Sequence, residues 1–272
     1  MNTFPMNTKP DISLIFVNYR SVRYLAKALE SLFSFEKETG LFEVIVVNND
    51  VSEGSSLEAL GLRFPFLLIE NGTNIGFGRG NNVGAKRAQG KLLGFINPDI
   101  LWAGPHLRGI GGVFAEKKQI GILGMGMVDA KRREEAWSAG TEPSLANLFR
   151  NNLLAPQQSY WKAPGLSFPD WVSGGALFVQ KDLFSLIGGF DERFFLYFED
   201  VDLCKEARRR GFSVARSADH ALIHLGGQSS HSPQLQKKHF YASQRKYFEK
   251  HRPAWEKHAV KWLQFFFCKT SV

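Results

Sequence analysis

Residues 11–50, DISLIFVNYRSVRYLAKALESLFSFEKETGLFEVIVVNND, decide the architecture. Asp11 to Asn18 form a continuous apolar run closed by turn-prone residues, the pattern of a strand buried on both faces. Ser21 then stands as the N-cap of a helix whose Val22, Leu25, Leu29 and Leu32 recur at helical spacing. Phe42 to Val47 form a second buried strand, which stops abruptly at Asn48-Asn49-Asp50. The alternation continues outward. Phe66 to Ile69 make a third strand, followed by a Gly/Asn-rich loop (NGTNIGFGRGNN), a short helix, and a fourth strand from Leu92 to Ile96 stopped by Asn97-Pro98-Asp99. Strands alternating with helices predict an α/β fold with a mostly parallel central sheet. In such sheets ligands bind at the carboxyl ends of the strands, where these polar clusters fall.

The C-terminal half is less even. Ala130 to Pro169 carries the charged run KRREE and four prolines, and is expected to be loop with one short helix. Regularity returns with a strand from Val172 to Val179 and a helix from about Asp182, stopped by Gly188-Gly189. A helix from about Asp200 to Arg210 follows, with Gly211 as its C-cap. Short strands are expected at Val214 to Arg216 and Ala221 to Leu225, and two helices separated by Pro253 from Leu235 onward. The domain division is then 1–232 for the catalytic body, with halves of about 11–100 and 101–232, and 233–272 for a helical tail.

Charge is unevenly distributed over the 272 residues. From Lys237 to Val272 nine Lys and Arg stand against two Glu, while the rest carries 25 basic and 24 acidic residues. The net charge of +8 therefore belongs to the tail, and a general nucleic-acid-binding role is not expected. Nine aromatics, from Phe240 to Phe267, are interleaved with these cations. That mixture suits an anionic membrane surface; helices packed back on the body, or a homodimer interface, are the competing readings. Nothing approaches the roughly 18 apolar residues of a membrane span, and the start of the chain lacks a secretory pattern. Two cysteines, Cys204 and Cys268, without metal-ligand spacing, point to a reducing, cytoplasmic compartment.

Several side chains could carry chemistry. Asp99, just after a buried strand, is open to two roles: holding a metal or diphosphate, or capping a following helix. Glu199 and Asp200 follow an aromatic run; one of them could be a base whose pKa apolar neighbours raise, or both could serve a helix N-terminus. His224 could be a metal ligand or an ordinary core residue. Gly76-Phe-Gly78-Arg-Gly80 is not a dinucleotide fingerprint, because Asn81 replaces the third glycine.

In order and spacing, IFVNYRS, VVNNDVSEGS, NIGFGRGNNVGAKRAQG, FINPD, WVSGGALFVQKDLFSLIGGFDERFFLYFEDVDLCKEARRRGF and IHLGGQS resemble the family 2 glycosyltransferases of the GT-A fold, in particular their bacterial rhamnosyltransferase-like branch. The resemblance runs from about Asp11 to Ser230. It implies a metal-dependent, inverting transfer of a sugar, rhamnose from dTDP-rhamnose, to a hydroxyl of a growing lipid-linked cell-surface polysaccharide. Asp200 would be the catalytic base with Glu199 beside it. Asp99, in the place of the DxD motif, and His224 would hold Mg2+ or Mn2+. Asn18, Asn48, Asp50, Asn74, Gly76, Asn81, Asn97 and Asp99 would surround the donor, and Trp171, Gly174, Gly175 and Asp191 the acceptor. The chain departs from the pattern at Asn97 and Asn48, which replace carboxylates, and at Glu53, which replaces Asp. A sugar-1-phosphate nucleotidyltransferase shares a similar core, but its glycine-rich basic triphosphate loop has no counterpart in Asn18-Tyr-Arg-Ser. A noncatalytic membrane-surface binding protein is opposed by the intact Asp99, Asp200 and His224.

Overall fold

Every residue of β1 (Ile12–Asn18) is buried, as are six of the seven in β2 (Phe42–Asn48), because helices cover both faces of these strands. The computed structural model describes residues 9–38, 40–135, 138–153, 164–226 and 232–269. Ile12, Leu14 and Phe16 of β1 point to one side, against Leu25, Leu29 and Leu32 of α1 (Val22–Phe35) and Leu57 of α2 (Gly54–Gly61). Ile15 and Val17 point to the other, against Ala85 of α3 (Phe77–Arg87). This is the alternation that a two-sided strand imposes.

Nine strands form the main sheet, eight of them in the order β3-β2-β1-β4-β10-β6-β11-β5. The half made of β3 (Leu67–Glu70), β2, β1 and β4 (Leu92–Ile96) is parallel throughout. In the other half β10 (Ala176–Gln180) runs antiparallel to both β4 and β6 (Ile120–Val128). Next, β11 (Ser213–His224) is parallel to β6 and antiparallel to β5 (Ile100–Leu101) and to β8 (Leu166–Ser167). A separate pair joins β7 (Ala139–Gly140) to β9 (Trp171–Val172). Four further helices flank the body: α4 (Leu107–Glu116), α5 (Leu145–Leu153), α6 (Lys181–Ile187) and α7 (Glu199–Arg209). The fold is the expected α/β one with a mixed, mostly parallel sheet.

Local expectations are corrected at three places. The strand expected from Val172 to Val179 is interrupted at Ser173-Gly174-Gly175, where the backbone turns its polar groups toward other elements: Gly174 N–H to Asp200 and Gly175 C=O to Asn97 N–H. The two short strands expected after Gly211 are one long strand, β11, bulged between Ser217 and Ala221. The glycine- and asparagine-rich loop is already helical from Phe77. Its Gly80 and Gly84 lie where a Cβ would approach Val17 and Ile15 to within 3.0 and 2.5 Å, so the glycines let α3 sit close on the sheet.

The tail forms two helices, α8 (Pro233–His251) and α9 (Ala254–Lys269), separated at Arg252-Pro253. Ser232 Oγ caps α8 by accepting the N–H of Leu235, and Pro233 occupies the first turn, where no N–H is needed. Tyr247 and Phe248 are fully buried against Leu145 of α5 and Phe194, Phe198 and Val201 around the start of α7. Burial of Phe248 contributes on the order of 1.5–3 kcal/mol, and that of Tyr247 less, because its buried hydroxyl has no hydrogen-bond partner among the described residues. Ion pairs fasten the same seam. Glu142 accepts from Lys205, Arg208 and Arg252; burial pushes its carboxyl up, and Lys205 and Arg208 outweigh that and hold it at about 2. Gln228 and Ser229 of the HLGGQS segment and Pro156 lie outside the described residues, as do the side chains of Phe265, Phe266, Phe267 and Cys268. Cys204 is buried, which pushes its thiol up. No helix among the described residues is long and apolar enough to cross a membrane.

Candidate functional site

Two cavities open at the carboxyl ends of the parallel strands, where the peptide dipoles and the loops between elements leave polar groups unpaired by the sheet. The first, of about 370 Å³, is bounded by Tyr19 after β1, Asn49 after β2, Asn74, Gly76 and Phe77 at the start of α3, Asn97 to Asp99 after β4, and His224 at the end of β11. Pairing of β5 with β11 sets His224 opposite Ile100 and thereby beside Asp99. His224 Nε2 lies 3.3 Å from Asp99 Oδ2, and its Nδ1 lies 2.8 Å from Glu135 Oε2. Burial alone would lower the imidazole pKa; the hydrogen bonds and charges of the two carboxylates outweigh it and bring it to about 10.

In this state the ring carries a proton on each nitrogen; a divalent cation would displace the one on Nε2 and take its place between Asp99 and His224, and the carboxylate and freed imidazole are donors that Mn2+ accepts readily and that Mg2+ accepts through the oxygen. Glu135, on the far ring nitrogen, fixes which face of the imidazole turns to the cavity, as carboxylates behind metal-binding histidines do. Sequence reading missed Glu135, because it sits in the charged run KRREE, which carries no positional signal. A second acidic group, Asp202, Glu206 and His251, also lies close together. Its charge is already offset: Lys250 Nζ is 2.7 Å from Asp202, and Arg210 pairs with Glu206 at 2.8 Å.

Of the residues expected around the donor, Asn74, Gly76, Asn97 and Asp99 line this cavity, and Asn18, Asn48, Asp50 and Asn81 do not. Asn18 and Asn48 are fully buried beneath it. Asn18 Nδ2 donates to Asn48 Oδ1 and Glu53 Oε2, and Asn48 Nδ2 donates to Glu70 Oε2. Asp50 receives Ser52 and pairs with Arg20. Asn81, placed on a helix rather than a loop, donates back to Phe77 C=O within α3. Asn49, which was not anticipated, reaches the cavity and donates to Gly76 C=O. Gly76 has φ of 92°, and a Cβ there would lie 2.5 Å from the carbonyl oxygen of Phe195, so only glycine fits. Phe77 N–H then donates to that carbonyl, tying α3 to the segment before α7.

The second cavity, of about 440 Å³, is lined by aromatic and apolar side chains around Asp200, with Trp171, Phe198 and Phe240 among them. Tyr197 and Phe198 both have φ of 69°, in the left-handed region that costs a non-glycine residue about 1–3 kcal/mol. The strain is held by the tail: Ser243 Oγ donates to Leu196 C=O, and the Phe198 ring packs on Phe240 and Tyr247. This turn aims the first residues of α7 into the cavity. Asp200 Oδ2 accepts the N–H of Gly174 and Oδ1 that of Val201, each at 2.8 Å. Burial pushes the Asp200 carboxyl up, against the pull of these N–H groups. Glu199 rises further, through burial first and the charge of Asp200 second, and its Oε2 has no partner among the described residues. Trp171, Gly174 and Gly175 line the cavity; Asp191 lies outside it, paired with Arg193 and Lys250, which hold its carboxyl well below the usual range. Phe77, Asn97, Leu196 and Tyr197 border both cavities and form the wall between them.

Known proteins share this architecture. The chain is 26% identical over 221 residues, 79% of its length and 67% of the relative's, to the low-salt glycan biosynthesis hexosyltransferase Agl10 of Haloferax volcanii. It is 26% identical over 246 residues, 82% of its length and 78% of the relative's, to an N-acetylglucosaminyl-diphospho-decaprenol L-rhamnosyltransferase of Mycobacterium tuberculosis. The mannosyltransferase PcManGT of Pyrobaculum calidifontis, solved with GDP-Man and Mn2+, superposes with a TM-score of 0.62 at 13% identity. That alignment covers 90% of this chain and spans 64% of the mannosyltransferase, and it shows the shared GT-A fold. The sequence profile described as "Glycosyl transferase family 2" matches residues 13–172, more than half of the chain, and the protein belongs to that family.

Proposed function

We propose that the protein is an inverting glycosyltransferase that takes a sugar from a nucleotide-diphosphate donor, dTDP-rhamnose, and adds it to a hydroxyl of a lipid-linked saccharide during cell-surface polysaccharide synthesis. The observation that carries this is the pair of cavities with a common wall: Asp99 and His224 border one, and Asp200 lies in the other. A diphosphate in the first and a hydroxyl in the second approach the anomeric carbon from opposite sides, as a single displacement with inversion requires. Asp200 takes the hydroxyl proton as the new C–O bond forms, and the electron pair of the breaking bond leaves with the diphosphate. Asp99 and His224 hold a divalent cation, which when bound offsets the charge growing on that diphosphate. The N-terminus of α3 borders the same cavity and its dipole favours an anion there, although the Gly76 and Phe77 N–H groups are already accepted by Asn74 Oδ1 and Phe195 C=O. A lipid-diphosphate acceptor is supported by the similarity to the mycobacterial N-acetylglucosaminyl-diphospho-decaprenol L-rhamnosyltransferase. Incubation of the protein with dTDP-rhamnose, UDP- and GDP-sugars, Mn2+ or Mg2+ and a short-chain N-acetylglucosaminyl-diphospho-alkyl acceptor tests it. Acceptor-dependent release of nucleoside diphosphate is expected, and its absence with every donor would refute the proposal.

Glu135→Ala is expected to weaken Mn2+ binding about 10- to 100-fold, because His224 loses the partner that orients it. Electron paramagnetic resonance titration of free Mn2+ measures this directly. An unchanged dissociation constant in the folded variant would remove Glu135 from the site.

The enzyme works, in this proposal, at the cytoplasmic face of the membrane, held there by α9. Trp255 and Trp262 are each 64% exposed and stand seven residues apart, on one helical face, with Lys261 exposed beside them. Tryptophan suits the headgroup layer, and each lysine adds about 1 kcal/mol near an anionic surface. Full-length protein is expected to co-sediment with phosphatidylglycerol vesicles at low salt and the double variant Trp255→Ser/Trp262→Ser to remain in the supernatant. Equal behaviour of the two would leave α9 a purely structural element.

A further inference from the structure

The tail does more than brace α7. Phe240 and Gln244, one turn apart on α8, reach the cavity that holds Asp200, and they form its roof. Gln244 is buried, and its amide has a fixed orientation. Arg245 Nη1 donates to Gln264 Oε1 at 2.7 Å, and Gln264 Nε2 donates to Gln244 Oε1 at 2.6 Å. A guanidinium has donors only, so Gln264 must turn its oxygen toward Arg245 and its NH2 toward Gln244. The oxygen of Gln244 is thereby used, and the reversed amide would set two NH2 groups against each other. What Gln244 keeps is its Nε2, which has no hydrogen-bond partner among the described residues. On a buried side chain that borders a cavity, an amide donor that no protein group takes up, and that is not itself fully enclosed, is placed to meet a ligand oxygen.

We infer that Gln244 is an acceptor-binding residue, donating through Nε2 to an oxygen of the acceptor saccharide, and that Arg245 and Gln264 lock its amide for that purpose. The inference rests on the proposal that this cavity takes the acceptor. The surroundings match such a ligand: Trp171 and Phe240 offer faces to the C–H side of a sugar ring, while Asp200 awaits its hydroxyl. The relay joins α8 to α9, so the two tail helices cooperate with Trp171, near the end of the family's matched segment, residues 13–172, in reading the substrate.

The test uses the full chain with dTDP-rhamnose, Mn2+ and the N-acetylglucosaminyl-diphospho-alkyl acceptor. Gln244→Ala is expected to raise the acceptor KM about 3- to 10-fold, the effect of one lost neutral hydrogen bond. The donor KM and the slow release of nucleoside diphosphate without acceptor should not change. Gln244→Met, nearly the same shape but without a donor, should be at least as impaired, whereas a packing role would tolerate it. Gln264→Leu, which frees the amide to rotate, should raise the acceptor KM in the same sense. A wild-type acceptor KM in Gln244→Ala or Gln244→Met overturns the inference, as does a parallel rise in donor KM. If the wild-type protein transfers to no acceptor, the acceptor assignment of the cavity falls and takes this inference with it. Wild-type transfer with undisturbed variants sinks the inference alone.

Discussion

Asp200→Asn is expected to lower kcat by about 10²- to 10⁴-fold, the range that a positioned general base contributes, while the dissociation constant of the donor stays within about twofold. The variant should fold, because the asparagine oxygen can still accept the N–H of Gly174 or Val201 that the carboxylate accepts now. What it removes is the proton acceptor. Donor binding is spared because Asp200 borders the second cavity and not the first. The pH profile gives an independent check. As the base, Asp200 would act only when deprotonated, and burial raises its pKa, so kcat is expected to fall as pH drops through a value above that of an ordinary aspartate. That acid limb should vanish from the residual activity of Asp200→Asn. Transfer near the wild-type rate by a folded Asp200→Asn protein would exclude Asp200 as the base, and Glu199 in the same cavity would be the next group to replace.

The parts of the fold that were legible in the sequence are those where one physical signal dominates. In β1 and β2 the apolar runs are unbroken, since both faces are covered, and each ends in polar residues at the mouth of the sheet. β6 was not legible. Its sequence, IGILGMGMV, carries three glycines, and these exist because neighbours press on the strand. A Cβ at Gly121 would meet Leu183 at 2.3 Å, and one at Gly124 would meet Val172 at 2.4 Å. Low β-propensity there is the result of tight packing, which a pattern of residue types does not encode. The same cause hid the start of α3. At the site, Asp99 and Asp200 stand at element ends that the sequence marks clearly. Asn48 and Asn49 are adjacent and chemically alike, and only the strand end decides that Asn48 turns down into the core and Asn49 up to the cavity. Glu135 and Gln244 come to the site from 89 and 44 residues away from His224 and Asp200, respectively, through tertiary contacts with no local signature.

Asp99→Ala should weaken Mn2+ binding and donor binding together and lower kcat/KM about 10²- to 10³-fold, since charge stabilisation by a bound cation amounts to several kcal/mol. His224 is the reason why the two losses are coupled. In the protein it is shared between Asp99 on Nε2 and Glu135 on Nδ1. Removing Asp99 leaves the imidazole held only from behind, so the donor cavity keeps one neutral or cationic ring and no carboxylate beside it. Asp99→Asn retains the shape and a weak oxygen donor, and an intermediate affinity is expected. Calorimetric titration of Mn2+ with and without dTDP-rhamnose separates the contributions: in the wild type each ligand should tighten the other, by the reciprocity that linked binding requires. In Asp99→Ala that mutual effect should disappear. Persistence of the full coupling in Asp99→Ala, or full transfer activity of the wild type in excess chelator, would mean that the diphosphate is met by other groups. The dipole of α3, whose N-terminus borders the same cavity, would then be the first to consider, because it needs no metal to favour an anion.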